Sequence, residues 1–159
     1  MARRKASSEA RIWTLLDQVS DPEIPVLSLW DLGVLRDIRR EGDQLLIVIT
    51  PTYSGCPALH TMQQDIEQVL RNARIENFCV RNELTPAWNS DDISPAGRAA
   101  LSKYGIAPPL DASERNQAVA CPRCDSSDTR LISEFGSTAC KALYQCNQCL
   151  EPFDYFKCL

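Results

Sequence analysis

Apolar positions along this chain shift from helical to strand-like spacing and back, and each shift marks an element. Ile12, Leu15, Leu16 and Val19 fall at i, i+3, i+4 and i+7, which lines one face of a helix of about three turns. Ser7 or Ser8 stands where it can cap the start, and Asp21-Pro22 stops the helix because the residue before proline avoids helical geometry. Glu23-Ile24-Pro25 continues as a stiff loop. Val34 to Arg39 and Leu45 to Thr50 read as strands around Glu41-Gly42-Asp43, a hairpin signal. The second strand is apolar from Leu45 to Ile49, so it is expected at the centre of a sheet, covered on both faces. Pro51-Thr52-Tyr53-Ser54-Gly55 is a turn, and Leu59, Met62, Ile66, Val69 and Leu70 make a second amphipathic helix. Phe78, Val80, Asn82 and Leu84 alternate as a third strand. Ser94-Pro95 opens a third helix, with proline at its first position, and Gly105 closes it.

The order helix, strand, strand, helix, strand, helix predicts an α+β fold, a small sheet of about three strands packed with helices. Pro108-Pro109 ends this unit, so the first domain is expected over residues 1–109. Residues 110–118 are polar with no core-facing period and read as a linker, which leaves 119–159 as a second module.

Composition sharpens this division. The chain has eight cysteines, and six lie beyond residue 120. In a reducing compartment such a count points to metal or thiol chemistry rather than a disulfide framework. No apolar run approaches the length of a bilayer span, and Met1-Ala2-Arg3-Arg4-Lys5 leads into no apolar signal core, so a cytoplasmic protein without a membrane partner is expected. A net charge of −4 argues against nucleic acid as a partner, because phosphate binding needs a concentrated basic face.

Cys121-Pro122-Arg123-Cys124 and Cys146-Asn147-Gln148-Cys149 are two Cys-x-x-Cys pairs with 21 residues between them. Two residues between thiolates make a tight turn that points both sulfurs at one ion, and two such turns complete a tetrahedral site. The competing readings are two redox pairs or two disulfides. A segment with so little core needs metal or cross-links to fold, which favours a metal ribbon with strands at Leu131 to Phe135 and Leu143 to Gln145. Zinc is the default ion, and iron in the same cage would make a one-electron centre. A filled four-thiolate site has no open position for substrate, so its role is structural or docking. Cys140 and Cys158 fall outside these turns. They are either small buried apolar side chains or a second thiol pair, the latter if Phe153 to Phe156 folds back beside Cys140.

Cys56 follows Ser54-Gly55 at the expected start of the second helix, where free N–H groups and the helix dipole favour a thiolate. Thr50, Thr52 and Ser54 stand close in sequence, and Asp21, Glu23 and Asp31 are carboxylates on a preceding loop that can face the same spot. The alternative is a packing cysteine, with Asp31 capping a turn. His60, one helical turn on, reads as a surface or packing residue, and Cys79 has no assigned role.

Asp21-Pro22-Glu23-Ile24-Pro25, Asp31-Leu32-Gly33 and Thr50-Pro51-Thr52-Tyr53-Ser54-Gly55-Cys56-Pro57-Ala58 resemble the signature of the small family of iron–sulfur assembly factors that includes SufT. The ribbon segments Ile132 to Tyr144 and Glu151 to Cys158 resemble an accessory subunit encoded with the bacterial phenylacetyl-CoA epoxidase. The resemblance implies a maturation factor rather than an enzyme. Its clients would be the epoxidase's di-iron oxygenase or its flavin and [2Fe–2S] reductase. The family's cysteine corresponds to Cys56, and its Asp-Pro-Glu motif to Asp21, Pro22 and Glu23. Transient iron or a cluster at Cys56 is then the expected cargo. One cysteine is too few to hold a cluster, so a partner's ligand or a second protomer of a homo-oligomer would complete the coordination. Two other readings stand beside this one: a docking scaffold of the same complex, and a rubredoxin-like electron carrier.

Overall fold

The computed structural model describes residues 9–110, 113 and 117–157. It falls into two compact units, one ending at Trp88 and the other beginning at Asn89.

The first unit opens with α1 (Ala10–Leu16), which buries Ile12, Trp13 and Leu16. It is shorter than the periodicity implies: Val19 is buried beyond the helix end, where its carbonyl accepts the Leu29 N–H at 2.9 Å. The expected caps Ser7 and Ser8 lie outside the described residues. A turn-rich segment follows, in which Ile24, Leu27, Leu29 and Leu32 are almost fully buried. Then come β1 (Leu35–Glu41) and β2 (Gln44–Ile49), an antiparallel hairpin closed at Gly42, whose φ of 63° suits glycine. Leu45 to Ile49 are all buried, and β2 sits at the centre of the sheet order β1-β2-β3, as an unbroken apolar run requires.

Helix α2 (Leu59–Asn72) is the crossover to β3 (Phe78–Asn82), which pairs with β2 in parallel from Leu45↔Phe78 to Ile49↔Asn82. Its stripe of Met62, Ile66 and Leu70 is buried. Leu84 lies beyond the strand and is 60% exposed, so the alternation stops short of it. Trp88 closes the unit by donating its indole N–H to the Leu32 carbonyl at 2.9 Å.

The second unit begins with a short 3-10 turn (Ser90–Asp92) and α3 (Pro95–Tyr104). Ser94 caps α3 by accepting the Gly97 N–H, and Gly105 ends it in the left-handed region, both as the sequence implies. Next come β4 (Ile106–Ala107), β5 (Thr129–Ser133), β6 (Lys141–Cys146) and β7 (Pro152–Phe156), in the sheet order β4-β7-β6-β5. This division differs from the boundary at Pro109. Ile106 and Ala107 pair in parallel with Asp154 and Tyr155, so α3 and β4 belong with the cysteine-bearing unit. Two residues make too short a strand to announce itself by alternation, and their partners lie far along the chain.

Because β2 is buried on both faces, Ile47→Ala should cost about 2–5 kcal/mol of stability. Denaturant unfolding followed by the fluorescence of the first unit's tryptophans checks this.

Candidate metal centre and thiol site

The two Cys-x-x-Cys turns converge within the second unit. Cys146 ends β6, and Cys149 follows it in a turn that brings the Cys149 N–H to 3.5 Å from the Cys146 sulfur. In the other turn the Asp125 N–H bonds the Cys121 carbonyl and the Cys121 N–H bonds the Ser126 carbonyl, both at 2.9 Å. The residue after each turn adopts positive φ, 59° at Asp125 and 65° at Leu150. Neither is glycine, so the sequence offered no signal of this matched geometry. For Leu150 it is a strained conformation.

The Cys121 and Cys149 sulfurs lie 3.7 Å apart and those of Cys124 and Cys146 3.6 Å. All four fall within 4.8 Å of one another. Zinc–sulfur bonds of about 2.3 Å in a tetrahedron put the sulfurs about 3.8 Å apart, so the donor set fits one tetrahedral ion. The separations are far longer than a disulfide bond of about 2.05 Å, and the four cysteines are free, so no disulfide joins them. The Cys149 N–H holds the Cys146 thiol down to about 7. The Ser126 N–H favours the Cys124 thiolate too, but desolvation and the neighbouring sulfurs outweigh it and push that thiol up to about 12. When bound, the ion supplies charge and cross-linking. Cys121 and Cys146 are fully buried, Cys149 is half-buried and Cys124 is exposed.

Around this centre Val119, Ala142, Phe153 and Tyr155 form a small core, with Tyr144 packed against it. Tyr144 stacks on Phe153 and meets Tyr155 edge to face. On the other side of the sheet Asp154 accepts the Ser137 hydroxyl at 2.9 Å and faces the buried Lys141 ammonium at 3.5 Å. A side chain at Gly136 would bring its Cβ to 2.6 Å from the Asp154 carboxylate, which explains glycine there. Cys140 is buried, its sulfur 3.0 Å from the Thr138 hydroxyl, and its carbonyl accepts the Lys157 N–H at 3.0 Å. The last strand therefore does fold back beside Cys140, while Cys158 lies outside the described residues.

Cys56 belongs to the first unit, in the turn between β2 and α2. Its N–H bonds the Tyr53 carbonyl at 3.2 Å, and its carbonyl accepts the Leu59 N–H at 3.3 Å. The structure brings Thr52, Asp21 and Glu23 to this thiol, but with an electrostatic outcome opposite to the sequence expectation. Burial pushes the thiol up, the Ala58 N–H partly offsets this, the Glu23 and Asp21 charges raise it further, and the Thr52 hydroxyl lowers it. The reason is positional: burial costs the thiol its solvation, and because α2 starts at Leu59, Cys56 stands ahead of the helix mouth, beside carboxylates. Asp21 is itself buried, its carboxylate accepting the Glu23 and Ile24 N–H groups at 2.8 and 2.7 Å.

Other residues singled out in the sequence have partners or surroundings of their own. Asp31 and Ser28 close a turn on each other, the Ser28 hydroxyl accepting the Asp31 N–H and donating to its carboxylate. Thr50 is buried, its N–H on the Val34 carbonyl at 2.8 Å. His60 is exposed on α2, and Cys79 is half-buried on β3. Among the described residues, only the four ribbon cysteines gather three or more ligating side chains. No helix among them is long and apolar enough to cross a membrane.

The first unit and the cysteine centre together define an iron–sulfur assembly domain fused to a zinc-type ribbon. Residues 9–76 match the model of the iron–sulfur cluster assembly protein family, and residues 106–157 match that of the PaaD zinc beta ribbon domain. A domain of unknown function of the DUF59 family from Bacillus anthracis superposes with a TM-score of 0.53 at 26% identity, covering 58% of this chain and 90% of that one. The chain is 49% identical over 151 residues to a putative 1,2-phenylacetyl-CoA epoxidase subunit of Escherichia coli (strain K12). That match spans 93% of this chain and 92% of the relative. The chain belongs to the PaaD family.

Removing the ion, by chelation or by Cys124→Ser, should unfold the ribbon strands while leaving β1 to β3 intact, because metal binding and folding are coupled in such modules. Hydrogen exchange resolved by peptide reads both halves. Glu23→Gln removes a charge that disfavours the Cys56 thiolate, so the pH profile of Cys56 alkylation should move to lower pH. An unmoved profile would show that Glu23 does not act on the thiol.

Proposed function

We propose that this chain matures the phenylacetyl-CoA epoxidase system, handing iron or an iron–sulfur cluster to its oxygenase or reductase subunit through Cys56. The observation that carries this reading is the contrast between the two sulfur sites. The ribbon is saturated by its own four thiols, whereas Cys56 offers one half-buried sulfur with carboxylates beside it. At rest that thiol keeps its proton, because burial and the charges of Glu23 and Asp21 disfavour a bare thiolate. An arriving iron cation reverses the balance: the S–H bond breaks, a sulfur–iron bond forms, the proton leaves to solvent, and the carboxylates now face a positive charge. With coordination incomplete, a client carrying more ligands can take the metal, and the thiol recovers its proton. Zinc in the ribbon holds the second unit folded, and the chain turns over no substrate of its own. The setting is the cytoplasm.

A docking scaffold of the same complex is the second reading, favoured by Leu131, Ile132, Phe135 and Leu150, which stand 44–69% exposed on the ribbon. Co-expression with the epoxidase subunits separates the two. Under the carrier reading, Cys56→Ser should lower iron or sulfide content of the purified client at least tenfold while the complex still forms. Full loading by the variant would leave the scaffold as the better account.

A further inference from the structure

We propose that two copies of this chain pair along the open edge of β3, antiparallel, in a register that sets Cys79 of one copy opposite Cys79 of the other. The three-stranded sheet has two outer edges, and they are treated differently. The β1 edge carries a register irregularity between Leu35 and Asp37 and the charged run Arg36, Asp37, Arg39, Arg40 and Glu41. Irregularities and charges are the usual means of blocking edge pairing. The β3 edge is plainer: its register against β2 is regular, its one charged residue, Arg81, pairs with Glu41 of β1 at 3.3 Å, and Phe78, Cys79 and Val80 occupy the rest, all half-buried.

The ladder fixes which backbone groups face outward. The Leu45 N–H bonds the Asn77 carbonyl and the Glu83 N–H bonds the Ile49 carbonyl, both ends of one regular parallel register. Residues 77, 79, 81 and 83 therefore turn their backbone groups to β2, and Phe78, Val80 and Asn82 turn theirs away. The Phe78 N–H meets the Glu76 carbonyl at 3.2 Å, so the Val80 N–H and the Phe78 carbonyl are the donor and acceptor left at the centre of the edge. Among the described residues no strand pairs there.

A two-fold axis keeps each side chain on its own face of the joined sheet, so only registers pairing residues of like parity are allowed. Centring on Phe78 sets Glu76 against Val80, and centring on Val80 sets Phe78 against Asn82. Centring on Cys79 sets Phe78 against Val80 twice and Asn77 against Arg81 twice, and it lets each Val80 N–H donate to the other copy's Phe78 carbonyl. This register joins apolar to apolar and brings no like charges together. A cavity of about 590 Å³ lined by Glu67, Arg71, Glu76, Phe78, Cys79 and Val80 flanks this edge and gives the incoming side chains room. Cys79 then falls at a non-hydrogen-bonded pair, where Cα atoms lie about 4.5 Å apart, within the range a disulfide can span.

The test uses the full metal-loaded chain. Sedimentation over a concentration series should show a reversible dimer, and Val80→Pro should weaken it at least tenfold. That substitution removes an outward N–H and no bond to β2, and edge strands accept proline. Diamide treatment of mixed nitrogen-14 and nitrogen-15 protein should give a Cys79–Cys79 peptide joining the two isotopes, while Cys79→Ser dimerises as before without that product. A monomer at all concentrations, an unweakened Val80→Pro dimer, or Cys79 joined only to other cysteines overturns the proposal. Should circular dichroism show Val80→Pro misfolded, hydrogen exchange at the wild-type Val80 amide decides: protection that rises with concentration supports the pairing, and none overturns it. Neither substitution touches Cys56, so the outcome is independent of the carrier reading.

Discussion

Leu45, Leu46, Ile47, Val48 and Ile49 carry apolar side chains on both faces of one strand, and neither face can be left to water. That double burial organises the first unit. It places β2 between β1 and β3, which pair its backbone groups on each side, and α2 runs across as the crossover that parallel pairing of β3 requires. The turn leaving β2 must then climb from a buried strand to the start of a helix within a few residues. Cys56 lies on that climb, half-buried, with the Asp21 turn beside it. The thiol's electrostatics follow from this placement: it is far enough into the fold to lose solvation and too early to receive the full benefit of the helix.

The second unit is organised by another force. Its core is a handful of side chains around Val119, Ala142, Phe153 and Tyr155, and four sulfurs close it. Where the first unit excludes water with aliphatic layers, the second gathers four sulfurs into one small cluster. The two sulfur sites consequently differ in kind, one saturated and structural, the other open and single. The proposed carrier role asks one chain to hold a metal at the first site while passing another from the second.

Much of this was legible in the sequence. The strand of five apolar residues, the Ser94-Pro95 start and Gly105 stop of α3, and the metal spacing of Cys121, Cys124, Cys146 and Cys149 each rest on a local rule with one dominant physical cause. What was not legible depends on distant partners. Two-residue β4 has no period of its own and exists only because Asp154 and Tyr155 stand beside it. The direction of the Cys56 shift turned on a sum of opposing effects, and sequence proximity shows the helix but not the burial. Asp31 offered two roles, and Ser28, three residues earlier, is the partner the structure gives it.

The pairing of β4 with β7 also sets an order of events during synthesis. The first unit is made of residues up to Trp88, so all three of its strands emerge before the ribbon is synthesised. The second unit needs residues 106 and 107 to meet 154 and 155, so its sheet waits for a segment almost fifty residues further on. All four ribbon cysteines leave the ribosome before that sheet can close around them. For that interval the nascent chain carries open thiols, and their protection from oxidation or from the wrong metal falls to the cell rather than to the fold.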